Sequence, residues 1–179
     1  MTFTSAIRTC FRKYFTFSGR ASRPEYWWFV LFLILGNILA GVIDGALFNT
    51  VTTELEVTDT SFRAGAENSG PIGTIFALAT FIPSIAAGWR RMHDSGRSGL
   101  YLFYPVIVMI GIATFAGLTG AMPNADGTFD FSFDSITGII LVIASIIFIL
   151  SPFLVIWWLT RPSQNGANQY GPNPREVTS

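Results

Sequence analysis

Four apolar stretches, each long enough to cross a bilayer, constrain this chain more than any other feature. They run over Tyr26–Phe48, Pro71–Trp89, Gly99–Ala121 and Ile136–Leu159, holding 23, 19, 23 and 24 residues. A hydrocarbon core about 30 Å thick needs roughly 20 helical residues at a rise of about 1.5 Å each, so every one of them can span. Asp44 is the only formally charged residue in all four. Buried helices of a soluble bundle carry a polar stripe at helical spacing, and Ile139-Ile140-Leu141-Val142-Ile143 has none. Charged residues make up 12% of the chain, about half of the roughly 25% usual in soluble domains. That hydrophobicity excludes a disordered chain, and 11 basic against 11 acidic residues leave no excess for nucleic acid. The single cysteine, Cys10, permits no internal disulfide and no zinc cluster, and no metal or cofactor is expected.

Charge sets the expected orientation. Arg8, Arg12, Lys13, Arg20 and Arg23 precede the first span, Arg90, Arg91 and Arg97 lie between the second and third, and Arg161 and Arg175 follow the fourth. The other two connections hold Arg63 alone against Glu54, Glu56, Asp59, Glu67, Asp126, Asp130 and Asp134. The positive-inside rule therefore puts both termini in the cytoplasm and the acidic loops outside. Trp27, Trp28, Trp89, Trp157 and Trp158 all fall at the inner ends, where amphipathic rings suit the headgroup layer. The first apolar run is too long for a signal-peptide core, so it is expected to stay as an uncleaved anchor.

Residues 3–16 read as an amphipathic helix, with Phe3, Ile7, Cys10, Phe11, Tyr14 and Phe15 opposite Ser5, Arg8, Thr9, Arg12 and Lys13. Such a helix lies in the inner leaflet or packs on the cytoplasmic end of the bundle. Cys10 is on its apolar side and reads as a small hydrophobe. Gly41 with Gly45, and Ala113 with Gly117 and Ala121, have the four-residue spacing of close helix contacts. Asn37, Gly41 and Asp44 share one face, and Pro83, Pro105 and Pro152 interrupt three spans. Two-residue alternation at Glu54-Leu55-Glu56-Val57 and at 129–134 suggests short strands or a small hairpin outside. Asn124, Asp126 and Asp130 match no calcium-loop spacing and read as a solvated acidic surface.

Three polar segments remain, all on the expected cytoplasmic side. Ser18-Gly19-Arg20-Ala21-Ser22-Arg23-Pro24-Glu25-Tyr26-Trp27 leads into span one; Arg90-Arg91-Met92-His93-Asp94-Ser95-Gly96-Arg97-Ser98-Gly99 joins spans two and three; Asn165-Gly166-Ala167-Asn168-Gln169-Tyr170-Gly171-Pro172-Asn173-Pro174 follows span four. Ser22 and Glu25 have capping-box spacing, with Pro24 in the first turn. Asp94 or Ser98 is placed to cap the third helix, and the tail is rich in turn formers. At these residues the chain resembles the bacterial inner-membrane proteins grouped as domain of unknown function 805. Their pattern is Gly-Arg-x-x-Arg-x-Glu-Tyr-Trp, then Arg-x-His-Asp-x-Gly-x-Ser-Gly, then Asn-x-Tyr-Gly-x-x-Pro, matched here in order at 19–27, 91–99 and 168–174. One departure is Gln169, where the family pattern carries a basic residue. The resemblance implies a four-span inner-membrane protein and no particular activity.

The expected architecture is thus an all-α, single-domain membrane protein over residues 1–179, with four transmembrane helices, an N-terminal amphipathic interfacial helix and a cytoplasmic tail from 160. Candidate ligand-binding residues are Arg20, Arg23, Glu25, Arg90, Arg91, His93, Asp94, Arg97, Asn168 and Tyr170. In one account the arginines cradle an anionic lipid headgroup or another phosphate-bearing ligand. In a second, Glu25 and Asp94 pair with the arginines and the motifs only interlock the fold. A third makes His93 and Asp94 a general base and its orienter in a membrane-embedded enzyme, and a fourth is a small transporter or channel using Asp44. Membrane lipids are the expected partners, and a homo-oligomer is compatible with the small-residue faces. The orientation is checked by reporter fusion: a periplasm-active reporter joined after Asp59 should be active, and activity of a cytoplasm-only reporter there would overturn it.

Overall fold

The structure is a computed structural model that describes residues 1–48, 52–58, 61–67, 70–120, 136–174 and 176. Its elements are α1 (Phe3–Arg12), α2 (Arg23–Phe48), β1 (Thr52–Thr58), β2 (Ser61–Glu67), α3 (Pro71–Asp94), a 3₁₀ turn over Gly99–Phe103, α4 (Tyr104–Thr119) and α5 (Ile136–Thr160). Four helical segments are long and apolar enough to cross a membrane: α2, α3, the 3₁₀ turn continued by α4, and α5. β1 and β2 pair antiparallel, from Thr52 opposite Glu67 to Thr58 opposite Ser61. The alternation at 54–57 falls in β1, while that at 129–134, with Asn124 and Asp126, lies outside the described residues.

α2 packs along α3, and α4 along α5; the two hairpins meet where the 3₁₀ turn and α5 touch the C-terminal part of α3. Burial is inverted relative to a soluble protein. Ile38, Leu78, Ile110 and Phe153 are each more than half exposed, whereas Arg90 and Arg91 are among the largest fully buried side chains. Hydrocarbon around a helix gives apolar residues no reason to turn inward, so the protein interior collects the polar groups instead.

Several boundaries differ from the hydropathy reading. α3 runs five residues past Trp89, so Arg90 to Asp94 are helical rather than part of a loop, and Asp94 ends α3 instead of capping the next helix. Ser98 does cap, accepting from the Leu100 N–H at 3.4 Å. α1 stops at Arg12, with Lys13 as its C-cap, so the amphipathic helix is shorter than 3–16. Its Ala6 and Cys10 are fully buried, Cys10 against Phe29 and Ala87, and Phe11 meets Phe29 and Phe32 edge-on. Burial, then the nearby Glu25 charge, pushes the Cys10 thiol up to about 12. It therefore stays protonated and acts as packing. Asn37 is exposed and bonds back to Leu33 O, while Phe32 and Gly36 meet Phe76 of α3 and Asp44 reaches its first turn. Ala113 and Gly117 face outward; Ala116 is the residue of α4 that is buried.

The prolines cost less backbone bonding than their positions suggest. Pro105 sits in the first turn of α4, where a missing N–H is harmless. Pro83 deprives Ala79 O of its helical donor, and Tyr14 Oη, reaching over from the N-terminal segment, donates to that oxygen at 2.9 Å. Pro152 does the same to Phe148 O, which Ser151 Oγ takes at 2.7 Å. Away from water, an unpaired carbonyl is expensive, so these substitutes are what let the prolines stay.

Asp44 has a similar task. The N-cap of α3 is Gly70, which has no side chain to offer. Asp44, buried in α2, accepts instead from the N–H groups of Ile72 at 3.0 Å and Gly73 at 2.7 Å. Its charge meets the positive end of the α3 dipole. A Cβ at Gly70 would lie 2.0 Å from Asp44 Cγ, so the cap requires glycine there. Asp44→Ala should cost roughly 1–2 kcal/mol, the usual worth of a cap, and Asp44→Asn less. Thermal melting of the purified protein in detergent checks this, and an unchanged transition for Asp44→Ala would refute the capping role.

Candidate functional site: a polar clasp at one end of the helices

All three motifs converge on the C-terminal turns of α3. The helix ends there because Gly96 follows, with φ +78°, and the chain turns back so that Arg97 N–H reaches Met92 O at 3.0 Å. A Cβ on Gly96 would sit 2.1 Å from the Gln164 side chain, so the turn also has no room for a larger residue.

At the centre is Asp94, fully buried. Its Oδ1 accepts from Arg20 Nε at 3.0 Å, and its Oδ2 accepts from Arg91 Nη1 and from Ser163 Oγ. The rest of each guanidinium is spent on carbonyls. Arg20 donates through Nη1 to Gly166 O at 2.7 Å and Gly171 O at 3.3 Å, and through Nη2 to Gln164 O at 2.6 Å. Arg91 donates from Nε to Leu159 O at 2.9 Å and from Nη2 to Arg161 O, closing the C-terminal end of α5. One carboxylate thus joins the segment before α2, the end of α3 and the start of the tail.

A second ion pair lies beside it. Arg90, also fully buried, donates to Glu25 Oε1 at 3.3 Å and to Thr16 O at 2.6 Å. The expected capping box is therefore half formed: Glu25 N–H reaches Ser22 Oγ at 3.4 Å, but the Glu25 carboxylate goes to Arg90. The carbonyls at the end of α3 are taken by the entry motif, the tail motif and the residue just before the latter: Ala21 N–H bonds Arg90 O, Asn168 Nδ2 bonds His93 O, and Gln164 N–H bonds Asp94 O, each at 3.0 Å.

His93 does not pair with Asp94. Its Nδ1 lies 3.1 Å from Gly19 O, and since a carbonyl only accepts, that nitrogen carries a proton. The ring stacks flat on Tyr170, with centroids 3.7 Å apart and planes at 3°. Asn168 Oδ1 accepts from Tyr170 N–H at 2.9 Å and so fixes the turn that presents the ring. The base-and-orienter dyad read from the sequence is absent, because Asp94 is committed to two arginines and a serine.

The structure therefore gathers Arg20, Arg91, His93, Asp94, Asn168 and Tyr170 in one network and Arg90 with Glu25 in an adjoining one. Arg23 and Arg97 stand apart from both. Arg23 heads a groove of about 360 Å³ lined by Pro24, Trp27, Trp28 and Leu31, and its Nε is buried with no hydrogen-bond partner among the described residues. Arg97 lies over the Trp158 ring, 5.3 Å from its centroid. Arg161, which motif spacing did not single out, lies 5.0 Å from the Trp157 centroid. Its signal in the sequence was a pair of interfacial tryptophans closely followed by an arginine.

Removing one member of a buried ion pair leaves an uncompensated charge and typically costs about 3–5 kcal/mol. Asp94→Ala and Arg91→Ala should therefore sharply reduce both accumulation in the membrane and melting temperature. Normal accumulation of Asp94→Ala would show that the clasp does not hold the fold.

The family described as "Protein of unknown function (DUF805)" matches residues 14–172. The inner membrane protein YhaH of Escherichia coli (strain K12) is 34% identical over 100 residues, covering 56% of this chain and 71% of the relative. The inner membrane protein YhaI of the same organism is 33% identical over 100 residues, covering 56% of this chain and 70% of the relative. No solved structure matches the chain. A family match across most of the chain, together with a clasp built from all three of its motifs, establishes that the chain belongs to the DUF805 family.

Proposed function

We propose that this is an inner-membrane protein that binds and organises anionic phospholipid at the cytoplasmic leaflet, with Arg23 as a headgroup contact. In this reading both termini are cytoplasmic, α1 lies at the level of the inner headgroups while docked on α2, and the β1–β2 hairpin is extracytoplasmic. The names of the relatives support the membrane, and the distribution of basic residues supports the orientation. Arg20, Arg90, Arg91 and Asp94 then serve the fold, since their hydrogen-bonding groups are largely spent on one another and on backbone carbonyls.

The observation that carries the reading is the Arg23 groove. An arginine whose buried Nε has no partner among the described residues stands over an apolar channel walled by two tryptophans. A phosphodiester would supply the acceptor that Arg23 lacks, with a planar fork suited to two phosphate oxygens. The acyl chain below it would cover Trp27, Trp28 and Leu31. Near an anionic surface each basic residue contributes about 1 kcal/mol, and a specific hydrogen bond adds selectivity.

Lipid analysis by native mass spectrometry of the gently purified protein tests this. Phosphatidylglycerol or cardiolipin should be retained by the wild type and lost or strongly reduced in Arg23→Gln, with accumulation unchanged. Retention of the full wild-type lipid complement by Arg23→Gln would refute it.

A further inference from the structure

Apart from the Arg23 groove, an open pocket of about 470 Å³ lies between the turn after α3 and the first residues of the tail. Ser95 and Arg97 line it on one side and Arg161, Ser163, Gln164 and Asn165 on the other. We propose that this pocket is a second binding site, which holds a phosphate group between the Arg97 and Arg161 guanidiniums.

These two arginines are held differently from those of the clasp. In the clasp, Arg20, Arg90 and Arg91 are each paired with a carboxylate and aim most of their remaining N–H groups at carbonyls, Arg90 Nε alone being buried without a partner among the described residues. They have little left for a ligand. Arg97 and Arg161 are positioned by aromatic faces, Trp158 and Trp157. A ring face attracts a guanidinium without consuming any of its five N–H donors. Arg97 spends one nitrogen on Ser95 O at 3.3 Å, and Arg161 makes no side-chain hydrogen bond among the described residues.

The walls agree with an anion. Among the described residues no carboxylate lines the pocket, and Asp94, which accepts from Ser163 Oγ, is neutralised by Arg20 and Arg91. The Ser95 and Ser163 hydroxyls already donate to Met92 O and Asp94 Oδ2, so neither is the ligand's donor. The Asn165 side chain, exposed and unengaged among the described residues, supplies a neutral donor beside the two cations. Two guanidinium forks and one amide suit the several oxygens of a phosphate group better than the two of a carboxylate. Trp157 and Trp158 place the pocket at headgroup level, where the phosphate of a lipid or a free phosphate in the cytoplasm can both arrive.

Full-length protein in phosphatidylcholine nanodiscs provides the test, read by tryptophan fluorescence because two tryptophans lie beneath the arginines. One arm titrates inorganic phosphate; the other compares discs with increasing phosphatidylglycerol. A saturable change in either arm is expected, and the responding arm identifies the source. Arg97→Gln with Arg161→Gln should weaken that response about tenfold or more, as expected for loss of charge-assisted hydrogen bonds. Lysine at both positions should restore part of it, and in an Arg23→Gln background, where the lipid groove is disabled, the changes at Arg97 and Arg161 should remove the response that remains, which separates this site from the groove. Should the double variant accumulate poorly, Arg161→Gln alone carries the test, since that side chain is exposed and outside the clasp. Lack of a saturable response in both arms, a response undiminished by the arginine changes, or one abolished equally by Arg23→Gln would each overturn the proposal.

Discussion

The carboxylate of Asp94 is the point on which this structure turns. It is fully buried, and so are the two guanidiniums that face it. Removing such charges from water costs several kcal/mol per ion, and the cost is recovered only when every charge is paired and every remaining N–H is bonded. Arg20, Arg91 and Asp94 together carry one net positive charge. The excess is balanced by carbonyl oxygens, several of them at the C-terminal end of α5 or in the chain just beyond it. Helix C-termini bear partial negative charge, and α3 and α5 both end at the clasp. The cluster is therefore a place where two helix ends need cations and the cations need helix ends.

That mutual need matters more here than it would in water. Helices in lipid gain nothing from hiding apolar surface from one another, so packing and polar contacts must decide which helices associate. α2 with α3 and α4 with α5 are neighbours in sequence and in space, but between the two hairpins contact is concentrated where α5 and the 3₁₀ turn reach the clasp end of α3. Met92, Val155 and Leu159 pack there, directly beside the charged network. At the other end of α3, Asp44 closes the opposite terminus. Both ends of one helix are thus capped by groups from elsewhere in the chain, which makes α3 the axis of the fold.

The four long apolar helices were legible because about twenty consecutive apolar residues leave few alternatives, and each helical segment falls on one of the four stretches. The errors have a common origin. Hydropathy stops at Trp89, yet the helix continues for another turn and a half, because backbone hydrogen bonding does not end where polar side chains begin. Glu25 was read both as a local cap and as the partner of an arginine; the pairing forms, with the sequence-distant Arg90, and it draws the carboxylate away from the capping box. Tyr14 read as part of an amphipathic face; its hydroxyl serves a carbonyl that Pro83 orphans far along the chain. Asn37 was assigned to a contact face by periodicity, but an amide can satisfy itself on its own helix and remain exposed. Of the candidate site, motif spacing identified most of the residues that meet but missed Ser163 and Gln164, and it could not distinguish arginines consumed by the fold from arginines left available.

That distinction follows from the chemistry of the guanidinium. A lysine ammonium could pair with Asp94, but it could not at the same time reach Leu159 O and Arg161 O in the divergent directions that Arg91 covers. The interior positions thus require a planar fork with donors on several edges, and using those edges removes the residue from any external role. A guanidinium lying on an indole keeps its edges, and the weaker hold leaves it able to turn toward a ligand. The same residue type therefore performs two opposed tasks at one end of this molecule, and the partner beneath it decides which: a carboxylate and carbonyls for Arg20, Arg90 and Arg91, an aromatic face for Arg97 and Arg161. The clasp works as a unit, since a buried network missing one member is worse than none. Its members run from Arg20 to Gly171, inside the 14–172 span of the family match.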